Sequence, residues 1–248
     1  MPGDTIKCNI SCRNEAIDIE LVPVFQPIVD IAGGVKPIGY EALIRGRGIL
    51  RLRGAREVFE RASEFGGSKA LDQRIRDLEI ETGIPLLDES QRMFLNMPTH
   101  ALQDSSWLVL RSVASNLVLE VSEHSRLSDA DIEWLLDFRE HGMKLAIDDF
   151  GVGQTNLHML SLLRPDYLKL DLSFVRQGDF ETVKRVRRLS EDWDARLIVE
   201  GVETVWEAGK TMDAGARYIQ GFLYGKPREA WRWMDNRRWS NLNQALPP

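Results

Sequence analysis

The chain has 248 residues, 43% of them hydrophobic and 28% charged, with a formal net charge of −6 at pH 7. That balance excludes a disordered, collagenous or membrane-embedded chain, and its sign argues against a protein whose main task is neutralising duplex phosphates. An acidic pocket can still accept phosphate where its carboxylates hold divalent cations, because the ions reverse the local field.

Residues 1–20 carry Asp4, Lys7, Arg13, Glu15, Asp18 and Glu20 with no apolar core segment. They are expected to form a flexible extension and do not fit a secretory leader, so a cytoplasmic location is expected. Cys8 and Cys12, the two cysteines of the chain, have the wrong spacing for a CxxC redox or zinc motif and are expected to be ordinary thiols. No run approaches the 18 or more apolar residues of a membrane helix.

From residue 21 to 240 the pattern repeats as one domain, ahead of a short tail at 241–248. Eight short apolar runs rich in β-branched residues follow one another: Val22–Asp30, Ile38–Arg45, Met93–Pro98, Leu117–Glu123, Met143–Phe150, Tyr167–Asp171, Arg196–Gly201 and Tyr218–Gly225. Continuous apolar runs of this length fit strands covered on both faces. Between the first two lies only IAGGVKP, too short for a crossover, so that pair is expected to be an antiparallel hairpin. The later connections have helical periodicity. Helices are predicted over 55–65 and 68–87 with a break at Gly66-Gly67, from a Ser128 cap to His141, and from Ser173 to about Trp193. The expected fold is an α/β (β/α)8 barrel of the TIM type with an irregular, antiparallel first strand.

Nearly every run also contains a polar residue that is costly to bury: Gln26, Glu41, Asn96, Glu120, Asp148 with Asp149, Lys169, Glu200 and Gln220. In a βα barrel the C-terminal strand ends converge on one mouth, so these groups should meet there. Five carboxylates, one lysine and a few amides cannot neutralise one another, and oxygen-preferring divalent cations are the natural complement. A bend at Gly151 and Gly153 would let Asp148 and Asp149 share the mouth. For any single residue the alternative is a structural ion pair; its recurrence on strand after strand favours a site.

The blocks YEALIR, FLNMP, LEVSE, AIDDFGVGQTNL, DYLKLD, VEGVET and QGFLYGKP, in this order over residues 22 to 228, resemble the EAL-domain cyclic di-GMP phosphodiesterases. The resemblance implies a cytoplasmic enzyme of bacterial second-messenger signalling that hydrolyses cyclic di-GMP to linear pGpG with two divalent cations, Mg²⁺ or Mn²⁺. It implies metal ligation by Glu41, Asn96, Glu120, Asp148, Asp149 and Glu200. Lys169 would contact the attacking water, and Glu41 and Glu200 would share in catalysis. Gln26, Leu43, Arg45 and Gln220 would contact the nucleotide, and Glu123 and Glu203 would steady the loop after Phe150. A homodimer is one arrangement the resemblance allows. Two-metal chemistry agrees with this reading, since paired ions activate water and stabilise a leaving oxygen at phosphorus. Gly46 and the stretch Gln154-Thr155-Asn156 depart from the family pattern, which keeps open a second reading, a cyclic di-GMP receptor or interaction module with little turnover.

Three other features fit simpler readings. Asp149-Phe150-Gly151 spells a kinase triplet without the rest of the kinase set. His100, His124, His141 and His158 lack zinc spacing, and His141 beside Gly142 reads as a helix-end cation. Trp231, Trp233 and Trp239 among Arg228, Arg232, Arg237 and Arg238 have the make-up of a stacking and phosphate surface. The simpler expectation is a last helix that packs its aromatics inward and turns its arginines to solvent.

Overall fold

The computed structural model describes residues 6–12, 15–47, 68–97, 105–153, 157–234 and 239. Eight strands close into a barrel: β2 (Glu15–Asp30), β3 (Lys36–Arg47), β4 (Arg92–Asn96), β5 (Leu117–Ser122), β6 (Lys144–Phe150), β7 (Tyr167–Leu170), β8 (Arg196–Val199) and β9 (Tyr218–Gln220). β3 to β9 run parallel, each to the next, and β2 pairs antiparallel with both β3 and β9. The eight expected strands and the antiparallel start are all present. No helix among the described residues is long and apolar enough to cross a membrane.

The stretch ahead of residue 21 differs from expectation. Ile6–Cys12 forms a further strand, β1, antiparallel to residues 15–21, so β2 begins at Glu15 rather than Val22. The physical signal is short alternation, apolar or Cys at 6, 8, 10 and 12 and apolar at 17, 19 and 21, which is the two-residue period of a strand. Composition alone makes the segment a polar extension, whereas its period marks a strand.

Among the described residues the α-helices are α1 (Ser68–Gly83), α2 (Asp129–Glu140), α3 (Leu157–Leu163), α4 (Leu172–Arg176), α5 (Phe180–Asp192) and α6 (Val205–Asp213). α2 starts as read from the sequence: the Ser128 side chain accepts from the Asp131 N–H, Asp131 reaches back in a capping box, and His141 caps the end before Gly142. The single helix expected from Ser173 to Trp193 is two helices. Gly178 takes φ +71 and Asp179 caps the second piece through the Thr182 N–H, a local stop-and-restart that periodicity alone does not register. The helix expected over 55–65, its Gly66-Gly67 break and the tail 241–248 lie outside the described residues.

Packing divides at the strands. One cluster of Ile28, Phe94, Val118, Ala146, Tyr167 and Ile198 fills the lower barrel interior. A larger one, including Leu95, Leu119, Leu145, Leu168 and Val199, lies between strands and helices. The ring is closed at the bottom by Arg217, just before β9, whose Nε donates to both carboxylate oxygens of Asp30 at 2.9 and 3.0 Å. Burial would raise the Asp30 carboxyl, but the Arg217 hydrogen bonds and the Ala32 N–H hold it below its usual value.

Replacing Asp30 by Ala should therefore cost about 1 kcal/mol, a figure already discounted for the half-exposed guanidinium, and lower the melting temperature by roughly 2–4 °C. The depressed carboxyl contributes stability at pH values above its unfolded pKa and loses it as pH falls through the folded one. Wild type and variant should therefore converge on acidification below about pH 4. Calorimetric scans that show the same gap at pH 3 and pH 7 would remove the pair from the account of barrel closure.

Candidate functional site

The mouth is built by strand alternation. On each strand the residue two positions beyond the interior plug faces the same way. Phe94 is thus followed by Asn96, Val118 by Glu120, Ala146 by Asp148, Tyr167 by Lys169 and Ile198 by Glu200. β2 runs the other way, so Ile28 is preceded by Gln26, which lies in register with Glu41, while Ile28 itself lies in register with Gln220. The polar groups form the layer directly above an apolar floor.

Lys169 stands at the centre, with only 1% of its side chain exposed. Its Nζ lies 2.8 Å from Glu120, 2.8 Å from Asp148, 2.9 Å from Glu200 and 3.7 Å from Glu41. Burial would lower its pKa, but the surrounding Asp148, Glu120, Glu200 and Glu41 carboxylates raise it well above the usual lysine value. It is a fixed cation and no proton acceptor. Burial pushes Glu120 well above the usual carboxylate range, with Glu41 and Asp148 adding to the shift against the pull of Lys169. Burial likewise pushes Glu200 up to about 8, Lys169 again opposing. Gln220 Nε2 donates to Glu41 Oε2, and Asn96 Nδ2 to Glu41 Oε1 at 3.4 Å.

Asp148 and Asp149 both reach the mouth, but the bend that allows it is not at the glycines. Three residues of β6 span two of β7 between the pairs Ile147–Leu168 and Phe150–Leu170, and Asp149 itself has φ +56. This bulge keeps neighbouring side chains from pointing to opposite faces, and aspartate tolerates the left-handed region better than most residues. Oxygens of Asp148, Asp149 and Glu200 lie within 4.8 Å of one another. Burial and the Asp148 charge raise Asp149. Glu123 Oε2 accepts the N–H groups of Gly151 and Gly153, each at 2.9 Å, and so ties down the start of the loop after β6. Gln154, Thr155 and Asn156 lie outside the described residues.

The remaining expected residues are more peripheral. Gln26 Nε2 donates to the Gly225 carbonyl at 3.2 Å. Leu43 and Arg45 follow Glu41 at two-residue steps along β3, and Arg45 Nη1 donates to the Ile44 carbonyl. Burial lowers the Arg45 pKa, with Glu41 opposing. Glu203 is exposed and lies 4.0 Å from Arg176 on the rim, and its backbone N–H goes to Glu207.

Sequence reasoning missed Asp72, Arg76 and Glu79 on α1. All three are buried and line, with Leu43, Asn96 and Met97, a cavity of about 380 Å³ that opens onto Glu41 and Asp148. Arg76 lies 4.2 Å over the Trp107 ring and 3.6 Å from Asp72. Burial, then Asp72 and Glu41, push Glu79 up to about 8. The signal was a charged stripe at 72, 76 and 79, one residue behind the apolar stripe at 71, 75 and 78, which on an isolated helix reads as a solvent face. A second mouth cavity of about 250 Å³ lies on the other side, between Lys169, Glu200, Arg176 and Phe222, and the two share Glu41, Asp148 and Asp149.

The donor set fits divalent cations. Glu120 Oε2 is buried with no partner, Glu120 Oε1 and Asp148 Oδ1 have only the shared Lys169 ammonium, and five carboxylates face that one cation. Carboxylate oxygens and the amide carbonyl of Asn96 are hard donors, the kind that suit Mg²⁺ and Mn²⁺.

Comparison with known proteins places this geometry. The chain is 35% identical over 116 residues to the probable cyclic di-GMP phosphodiesterase PdeD of Escherichia coli, an alignment covering 45% of this chain and 22% of that protein. The chain thus spans about a fifth of that relative's length. A standalone EAL protein from Vibrio cholerae O395, solved with c-di-GMP bound, is 26% identical, with a TM-score of 0.72 over 86% of this chain and 94% of that one. Klebsiella pneumoniae BlrP1 in a manganese and cyclic di-GMP complex is 25% identical, with a TM-score of 0.75 over 93% of this chain and 60% of that one. Residues 12–227 match the EAL domain as a family, and the chain belongs to that family.

Proposed function

We propose that this chain is a metal-dependent phosphodiesterase that opens cyclic di-GMP to linear pGpG. The observation that carries the reading is the ring of Glu41, Glu120, Asp148 and Glu200 about the buried Lys169, with Asp149 beside Asp148 and Glu200, set between two cavities at the barrel mouth. The manganese and cyclic di-GMP in BlrP1 and the c-di-GMP in the Vibrio protein support it from outside.

Glu41, Asn96, Glu120 and Asp148 would hold one cation, with Asp149 and Glu200 completing the site for a second. Such ions supply Lewis acidity toward water and phosphate oxygens. The chain's own groups do the rest. Lys169, held protonated by the carboxylates that take its three N–H groups, would turn one of them to the water that attacks phosphorus once cations take over a carboxylate, and it cannot take that water's proton. Glu200, raised to about 8 in the metal-free site, gives up its proton when it ligates a cation, and the proton of the attacking water ends on the departing O3′. The phosphorus–O3′ bond breaks, leaving a 5′-phosphate and a 3′-hydroxyl on the linear product. Arg45 pairs with the phosphate not undergoing attack, Leu43 offers an apolar face on its side of the mouth, and Gln26 and Gln220 border the reacting centre. Glu123 keeps Asp149 in place through the Gly151 and Gly153 amides, and Glu203 supports the same loop from the rim. Cytoplasmic location and assembly as a homodimer belong to this reading.

Incubated with Mg²⁺ or Mn²⁺ and cyclic di-GMP, the purified protein should yield the linear dinucleotide on chromatography. Chelation should stop the reaction, and Ca²⁺ should inhibit because the larger ion adopts looser coordination. Turnover undiminished after exhaustive chelation sinks the mechanism, and tight nucleotide binding with no turnover in any metal identifies the receptor reading instead.

Arg45→Ala should weaken cyclic di-GMP binding by about tenfold or more while metal binding holds, because a guanidinium pairs with phosphate but does not ligate a cation. Calorimetry separates the two, and an unchanged nucleotide affinity would take Arg45 out of the site.

Metal should also register in stability. Glu120 and Glu200 bind protons more tightly folded than unfolded, so their contribution is full below the unfolded pKa of about 4.5 and is lost as pH rises through the folded values, for Glu200 about 8. The metal-free melting temperature should fall between about pH 5 and pH 8, and Mg²⁺ or Mn²⁺ should raise it more at pH 8 than at pH 5. A melting temperature indifferent to both ions at every pH would count against metal binding by this cluster.

A further inference from the structure

The three C-terminal tryptophans do not share one fate. Trp233 is 2% exposed and Trp239 8%; their rings stack at 6.0 Å and 15°, and Trp233 Nε1 donates to the Phe25 carbonyl at 2.7 Å. Those two are core. Trp231 is 52% exposed, on a short 3-10 turn, Ala230–Arg232, where a longer helix was expected. Its indole N–H reaches Glu229 at 3.4 Å, and the Arg232 guanidinium lies 4.3 Å over its ring. Arg237 and Arg238 lie outside the described residues.

Beside Trp231 is a cavity of about 420 Å³ lined by Val24, Pro227, Arg228, Glu229 and Arg232. Its wall is fixed to the barrel, since Arg228 and Phe25 exchange backbone hydrogen bonds at 3.0 and 2.7 Å. Lys226, Arg228 and Arg232 are exposed, and among the described residues none of them is in an ion pair. Their contacts are with rings, Lys226 over Phe222 at 5.1 Å, Arg228 over Trp233 at 5.9 Å and Arg232 over Trp231, so in a chain of net charge −6 this corner sets three cations without an ion pair against the carboxylate of Glu229. An exposed aromatic face beside unpaired cations is suited to a base stacked next to its phosphate. Arg228, Glu229 and Arg232 line a hollow, with Lys226 outside it, rather than crown an apolar ridge, which is the wrong shape for lying on a lipid surface.

We infer that the Trp231–Arg232 face is a docking site for single-stranded nucleic acid, separate from the barrel mouth. A base stacks on Trp231, whose indole Glu229 holds by its N–H, and the flanking phosphates meet Arg232, Arg228 and Lys226. Duplex is excluded because its bases are already stacked on one another.

The test is fluorescence anisotropy of the full chain with a fluorescein-labelled single-stranded RNA of about twelve nucleotides. Saturable binding is expected at low salt, with log affinity falling against log salt at a slope of roughly 2, from 0.7 for each of three phosphates contacted. Trp231→Ala should weaken binding by about tenfold with the melting temperature kept. Arg232→Glu, which leaves the aromatic in place, should weaken it further and lower the slope. Excess cyclic di-GMP should not displace the strand, so the result stands apart from the fate of the phosphodiesterase reading. The inference is overturned by absence of saturable binding at about 50 mM salt, by unchanged affinity in both variants, by displacement with cyclic di-GMP, or by equal binding of a duplex of the same length. Sedimentation with phosphatidylserine vesicles in place of RNA binding would overturn it as well.

Discussion

The buried ammonium of Lys169 is the constraint around which this barrel mouth is arranged. Taking a lone charge from water into a protein interior costs several kcal/mol, and here four carboxylates within 3.7 Å offset that cost for the lysine. The offset is not mutual. One cation cannot neutralise Glu41, Glu120, Asp148 and Glu200, and burial, with the neighbouring carboxylates adding to it, raises the proton affinity of Glu120 and Glu200 against the pull of Lys169. Such a cluster either takes up protons or takes up metal. The lysine holds the carboxylates at the centre without satisfying them, and the charge left over is of the kind that divalent cations complement.

What lets a charged layer exist there is the apolar layer beneath it. Phe94, Val118, Ala146, Tyr167 and Ile198 occupy the interior one step below the polar ring, so desolvation and position arise from the same strand alternation. A residue inserted below the ring would turn each downstream side chain to the other face. β6 uses that rule locally: its one-residue bulge brings Asp149 alongside Asp148 where regular pleating would turn it outward. The two hydrogen bonds from Gly151 and Gly153 to Glu123 then hold the bulged end.

The same alternation explains how much could be read in advance. Glu41, Asn96, Glu120, Asp148, Lys169, Glu200 and Gln220 were legible because each interrupts an apolar run, and the barrel topology converts one interruption per strand into one convergent site. β1 was less legible because its alternation is short and its residues mostly polar. The break between α4 and α5 hangs on Gly178 and the Asp179 cap, within a stretch whose periodicity runs through it. Asp72, Arg76 and Glu79 were hidden for a different reason: a charged helix stripe reads as a wet face unless its covering is known, here Trp107 and the barrel rim. The C-terminal tryptophans show the limit of composition, since Trp231 and Trp233 sit in the same run of residues and only packing separates the exposed ring from the buried one.

On the proposed reading, the charge at the mouth also sets an order of events. A cyclic dinucleotide brings two phosphate charges to a ring of carboxylates, and at close range in a partly desolvated site like charges repel strongly. Arg45 and Lys169 cannot alone reverse that field, because Lys169 is already committed to the carboxylates. Cation binding therefore lowers the cost of nucleotide binding, and by linkage the nucleotide must tighten cation binding by the same factor. The two cavities flanking Glu41, Asp148 and Asp149 then place the point of greatest charge between two spaces for the bases, so the ligand's shape and the protein's field select the same orientation.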